Sequence, residues 1–145
     1  MERLLEYVAL HPFLAGGTVL LAVAALAYEV SRARTGGQSV GPLDAVRLLN
    51  QGAIPLDVRS KAEFDSGHII DARHVPHDQL AQSGEVLKKY REKVVIACCE
   101  SGMRSGAATR VLKAQGFSKV VNLRGGLQAW RAENLPLVRA DAKGR

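Results

Sequence analysis

Two adjacent cysteines, Cys98 and Cys99, are the only thiols of the 145-residue chain, and Glu100-Ser101-Gly102-Met103-Arg104-Ser105 follow them directly. They stand between a fully apolar run, Val94 to Cys98, and a helix-patterned segment, Ser105 to Gln115. A thiol placed where a strand hands over to a helix meets unpaired N–H groups and the positive end of the helix dipole, which favour an anion. Those groups, with Arg104 nearby, lower a cysteine pKa and raise the thiolate fraction. Gly102 lets the loop curl so that successive N–H groups point inward as an anion nest. Cys99 is therefore the candidate nucleophile and Glu100 to Ser105 the candidate anion-binding loop, while Cys98 reads as a small buried residue ending a strand. A disulfide between such neighbours would close a strained ring and staple nothing, so free thiols in a reducing compartment fit better.

The elements around this loop must put it at the end of a sheet. Pro42 to Gln51 has helical apolar spacing, and Ile54 to Val58 is a short strand-like run. Lys61 to Ser66 fits one or two helical turns, Ala72 to Val75 a short strand, and Asp78 to Tyr90 a helix. Val94 to Cys98 reads as a central strand buried on both faces. A helix over Ser105 to Gln115, a strand over Lys119 to Leu123 and a last helix over Gly126 to Glu133 complete the series. Strands alternating with helices imply an α/β domain with a largely parallel sheet and helices on both faces. Ligands of such sheets bind beyond the carboxyl ends of the strands, where Cys99 falls.

Residues 7–28 hold no Asp, Glu, Lys or Arg. About 20 apolar residues span a bilayer, and Tyr7 and Tyr28 bracket the stretch as interfacial aromatics do. The favoured reading is a transmembrane anchor over 1–30, then a flexible linker over 31–41, a domain over 42–138 and a disordered tail over 139–145. A cleaved signal peptide and a buried core helix compete with it. The first lacks a basic start, since Glu2 and Glu6 oppose a lone Arg3, and the second lacks a polar face. Arg32 and Arg34 beyond the stretch place the domain in the cytoplasm under the positive-inside rule.

The net charge is +6, and residues 98–145 hold nine basic against three acidic residues. Nucleic acid is not the expected partner, because aromatics are 5% of the chain and no nucleic-acid motif is present. Small anions or an anionic membrane surface account for the charge equally well. His11, His74 and His77 have no metal-ligand spacing with the cysteines, and His68 reads as a turn residue bonded to backbone. Trp130 reads as core. No metal or other cofactor is implied.

Three motifs together resemble the rhodanese family. The active-site loop Cys-x-x-Gly-x-Arg-Ser is met by Cys99, Gly102, Arg104 and Ser105. A second signature is met by Asp57-Val58-Arg59, Glu63-Phe64, Gly67-His68-Ile69, Ala72 and Pro76. A third is met by Leu123-Arg124-Gly125-Gly126 and Trp130. With its N-terminal stretch the chain looks like the membrane-anchored single-domain rhodaneses of bacterial inner membranes. The resemblance implies a three-layer rhodanese-like domain and a sulfurtransferase, in which Cys99 holds a sulfane sulfur as a persulfide. It implies a small donor such as thiosulfate or a persulfide, and a thiol or cyanide acceptor. Asp57 and Arg59 would support the loop, Glu63 would pair with Arg59, and Arg104 would orient an anionic donor. Asp71 stands where the family has glycine, and Glu100 puts a negative charge beside the nucleophile. Two other readings stay open. One is a membrane-tethered rhodanese-fold module that only binds a partner. The other is a cysteine phosphatase, since Cys-x5-Arg-Ser also fits when counted from Cys98.

Overall fold

The structure is a computed structural model that describes residues 11–35 and 38–139, with side chains for 11–28 and 38–139. It falls into two units, divided after Gly36.

In the first unit, α1 runs from Pro12 to Thr35. Proline at the first helical position gives up no bond the helix would have made. Phe13, Leu14, Leu20, Leu21 and Leu26 are exposed, and the hydroxyl of Thr18 donates to the backbone oxygens of Leu14 and Ala15. The helix continues five residues past the anchor boundary read from the sequence, into the expected linker. Among the described residues no helix is long and apolar enough to cross a membrane. Residues 1–10, the start of the expected anchor, lie outside the described residues.

The second unit is a parallel α/β domain. Its elements are β1 (Ser39–Val40), α2 (Pro42–Asn50), β2 (Ile54–Asp57), α3 (Lys61–Ser66), β3 (Arg73–His74) and, between two 3-10 turns, the single turn α4 (Gly84–Leu87), followed by β4 (Val95–Cys98), α5 (Met103–Ala114), β5 (Val120–Leu123) and α6 (Gly126–Ala132). The strands form one sheet in the order β1-β5-β4-β2-β3, every pair parallel. Successive strand side chains point to opposite faces, and two apolar clusters fill in accordingly. Leu56, Val95, Cys99 and Val120 join Leu80, Ala108 and Leu112 in one. Ile96, Cys98, Val121 and Leu123 join Ala45, Leu127 and Trp130 in the other. This alternation separates the two neighbouring cysteines: Cys98 goes into the cluster with α2 and α6, and Cys99 into the cluster with α5.

Two expectations change. The linker contributes a strand, because Ser39 and Val40 pair with Asn122 and Leu123 along the sheet edge. The helix expected over Asp78 to Tyr90 is three short pieces, 3-10 turns at His77–Gln82 and Lys88–Tyr90 around a single α turn at Gly84–Leu87. Its carbonyls are drawn out of a helical ladder: Gln115 Nε2 donates to Leu80 and Ala81 oxygens, and the Ser83 hydroxyl to Leu80. After α6 the chain returns, and Val138 exchanges both backbone hydrogen bonds with His68 at 2.8 Å. Of the expected tail, residues 140–145 lie outside the described residues.

Candidate active site

β4 ends at Cys98, and the next five residues curl beneath the first turn of α5. In that curl the Cys99 sulfur accepts the Gly102 N–H at 3.1 Å, the Ser105 N–H at 3.4 Å and the Ser105 hydroxyl at 3.3 Å. Burial pushes the thiol pKa up, but the Ser105 hydroxyl and the N–H groups of Ser105, Gly102 and Ser101 outweigh it. The Cys99 pKa therefore lies below the usual cysteine value. Cys98 is the opposite case: burial, then the Asp57 carboxylate, push its thiol well up. A phosphatase count beginning at Cys98 thus starts from a buried thiol whose pKa is pushed up in the core, and not from the sulfur that sits in the cradle.

The curl depends on two close approaches that only glycine allows. Gly102 has φ +93°, and a Cβ there would sit 3.1 Å from the Leu123 oxygen and 3.2 Å from the Gly125 nitrogen. Gly126, at φ +58°, lies flush against the loop, and a Cβ would come within 2.4 Å of the Cys99 oxygen. Because α6 approaches so closely, its first N–H groups reach the loop: Leu127 N donates to Cys99 O at 2.9 Å and Gln128 N to Glu100 O at 3.0 Å. The double glycine of the third motif is thus the backstop of the cradle. Its sequence position gave that role no signal beyond the motif itself.

Asn122 on β5 is a second residue that pattern reading missed. Its Nδ2 donates to the Gly102 oxygen at 3.2 Å, which turns its Oδ1 to accept the Ser105 hydroxyl at 2.7 Å. The single hydroxyl proton of Ser105 therefore has two acceptors, Asn122 Oδ1 and Cys99 Sγ. A thiolate draws it toward sulfur. Removing the hydroxyl in Ser105→Ala takes away the largest pKa-lowering contact. Alkylation of Cys99 at pH 7 is expected to slow about tenfold, the scale of one hydrogen bond to a charged group, with the pH–rate midpoint moving up.

Asp57 and Arg59 sit where the sequence put them, at the end of β2 beside the loop, both fully buried. Asp57 takes Arg59 Nη2 at 2.7 Å, Nε at 3.0 Å and the Arg59 N–H at 3.0 Å. The same guanidinium donates to the Gly67 oxygen at 2.6 Å and to Glu100 at 3.4 Å. Arg59 thereby ties β2 to both the α3 turn and the loop. Glu63 does not pair with Arg59, contrary to expectation. As the third residue of α3 it closes a capping box with Ser60, which aims its carboxylate outward at Arg104, bound at 2.7 and 3.0 Å. Glu100 fills the place beside Arg59 and is held on its outer side by Arg131. Met103, the first residue of α5, is 81% exposed.

The Arg104 hydrogen bond, against burial, holds the Glu63 pKa down to about 2. A depressed carboxyl stabilises the fold above its unfolded pKa, near 4.5, and the contribution is lost as pH falls toward about 2. The stability deficit of Glu63→Gln against the parent is therefore expected to be full above pH ~5 and to vanish near pH 2, as urea titrations across that range would show.

His68 Nδ1 lies 2.9 Å from the Phe64 oxygen and its ring stacks on Phe64 at 3.8 Å, a turn role as expected. Trp130 is core, its indole N–H donating to the Pro136 oxygen. Asp71 adopts φ +59°, the left-handed conformation that aspartate tolerates better than most side chains.

A cysteine sulfur held in a backbone cradle lies at the carboxyl end of the central strand of a parallel sheet, where α/β proteins of this class bind their ligands. The chain belongs to the rhodanese-like domain family, whose model matches residues 42–133. It is 31% identical over 141 residues to YibN of Escherichia coli strain K12, an uncharacterized protein, covering 96% of this chain and 99% of that one. It is 36% identical over 93 residues to the thiosulfate sulfurtransferase GlpE of Pseudomonas savastanoi pv. phaseolicola, covering 64% of this chain and 86% of that one. A rhodanese-related protein of Thermoplasma volcanium superposes with a TM-score of 0.66 at 29% identity, over 72% of this chain and all of that one.

Proposed function

We propose that this protein is a sulfurtransferase that takes a sulfane sulfur onto Cys99 as a persulfide and passes it to a thiophilic acceptor. The observation that carries the reading is the set of three donors converging on Cys99 Sγ. In the first step the Cys99 thiolate attacks the outer sulfur of the donor. A new S–S bond forms at Sγ, the donor's bond to that sulfur breaks, and the remnant leaves with the electron pair. The terminal sulfur of the persulfide then carries the negative charge, and fixed N–H groups of the loop stabilise it without reorganising. In the second step a thiolate or cyanide attacks that sulfur, the Sγ–S bond breaks, and the Cys99 thiolate returns. Cys99 itself is fully buried, so a slim terminal sulfur is a better visitor than a tetrahedral phosphate.

The full chain supplied with thiosulfate or an alkyl persulfide, and with cyanide, is expected to form thiocyanate with ping-pong kinetics. Failure to gain a sulfur atom from any donor would leave a module that only binds a partner.

We also propose that residues 1–30 hold the domain at a bacterial inner membrane, facing the cytoplasm. The support is the charge-free stretch 7–28, together with the exposed apolar side chains of α1 and the return of the Thr18 hydroxyl to its own helix. The full chain should stay in the membrane pellet after carbonate washing, with its domain shielded from protease in spheroplasts. Release by carbonate would exclude the anchor.

A further inference from the structure

The Ser105 hydroxyl has one proton to give and stands between Cys99 Sγ at 3.3 Å and Asn122 Oδ1 at 2.7 Å. Both neighbours are fixed. Ser105 is fully buried in the first turn of α5. Asn122 has its backbone in β5, and its Nδ2 donates to the Gly102 oxygen at 3.2 Å. That donation leaves the amide a single orientation, with Oδ1 toward Ser105. The two acceptors are unequal in what else they have. Sγ also takes the Gly102 and Ser105 N–H groups, whereas among the described residues Oδ1 accepts from Ser105 alone. A thiolate is a strong acceptor, but an uncharged divalent sulfur is a weak one. The direction of the Ser105 proton must therefore follow the charge on Sγ.

Resting on the sulfurtransferase reading, we infer that Asn122 is a positioning residue that sets how far the protein favours the loaded over the unloaded Cys99. In the unloaded state the charge lies on Sγ. The hydroxyl turns to it and leaves Asn122 Oδ1 without a donor. On loading, the Sγ–S bond forms and the remnant leaves with the electron pair of the donor's broken bond. The charge then sits on the terminal sulfur, Sγ becomes divalent and uncharged, and the hydroxyl returns to Asn122. The proton stays on Ser105 Oγ throughout, so no acid, base, oxidant or reductant is called for. Asn122 thus opposes the thiolate and favours the persulfide by about one hydrogen bond between neutral groups, a factor of roughly three to ten.

The test is a double-mutant cycle of Asn122→Leu and Ser105→Ala in the full chain. It reads the pH midpoint of Cys99 alkylation, and the loaded fraction by intact mass in a buffer of cysteine persulfide and cysteine. With Ser105 present, Asn122→Leu should lower the midpoint by about half to one pH unit and the loaded-to-unloaded ratio about three- to tenfold. In the Ser105→Ala background the same change should move neither. Asn122→Asp keeps an acceptor facing Ser105 and adds a negative charge, so it should raise the midpoint instead. Leucine effects that persist without the Ser105 hydroxyl would belong to the lost bond at the Gly102 oxygen and would overturn the inference. A loaded fraction unmoved by Asn122→Leu, or a midpoint lowered by Asn122→Asp, would overturn it too, in a parent that still loads sulfur. A parent that gains no sulfur would bring down the sulfurtransferase reading itself, and this inference with it.

Discussion

Replacing Cys99 with serine is expected to reduce sulfur transfer by roughly a thousandfold or more, the scale of losing a covalent nucleophile. A serine hydroxyl in the same cradle cannot ionise near neutral pH and forms no persulfide. Cys98→Ala is the matched control, since Cys98 lies one residue away but on the opposite face of the sheet, fully buried. Alanine there removes one buried sulfur from the core and is expected to cost about 1 kcal/mol of stability, with turnover retained. Equal losses in the two variants would mean that the loop geometry, and not the Cys99 sulfur, limits the reaction.

The largest stability effect should come from Arg59→Met. The guanidinium is 1% exposed and pairs with a fully buried carboxylate at 2.7 Å. Methionine fills similar volume but leaves Asp57 charged and uncompensated in the core, a situation that costs about 3–5 kcal/mol. The lost donors also free the Gly67 oxygen and one side of Glu100, so the α3 turn and the loop loosen together. Thermal unfolding should shift down by roughly 10 °C or more. Adding Asp57→Leu to the first change removes the stranded charge and should recover part of the loss. A double variant less stable than Arg59→Met by the full cost of a second core defect would contradict this account.

Much of this was legible in the chain because the informative signals are local. Val95 to Cys98 are all apolar, which marks a buried central strand, and a period of two then puts Cys98 and Cys99 on opposite faces. The spacing from Cys99 to Gly102 and Ser105 is the loop itself. β1 was hidden because two residues beside glycines carry no periodicity, and only pairing with β5 makes them a strand. The segment from His77 to Tyr90 misled because apolar spacing suits a helix, whereas Gln115, more than thirty residues away, captures its carbonyls. The rim pairs failed for the same reason. Glu63 lies near Arg59 in sequence, but capping geometry, which acts over three residues, turns it toward Arg104, 41 positions on. Asn122 and Gly126 act on the loop from β5 and α6, and no local pattern announces such contacts.

The central claim is that the sulfur is carried on Cys99 within its N–H cradle. The most direct measurement is peptide mass spectrometry of the full chain, given an alkyl persulfide or thiosulfate with no acceptor and then trapped by alkylation. The account predicts one added sulfur atom on Cys99, none on Cys98, and its loss when cyanide is supplied. An added sulfur confined to Cys98, or a Cys99 that stays unmodified while thiocyanate accumulates, would contradict it.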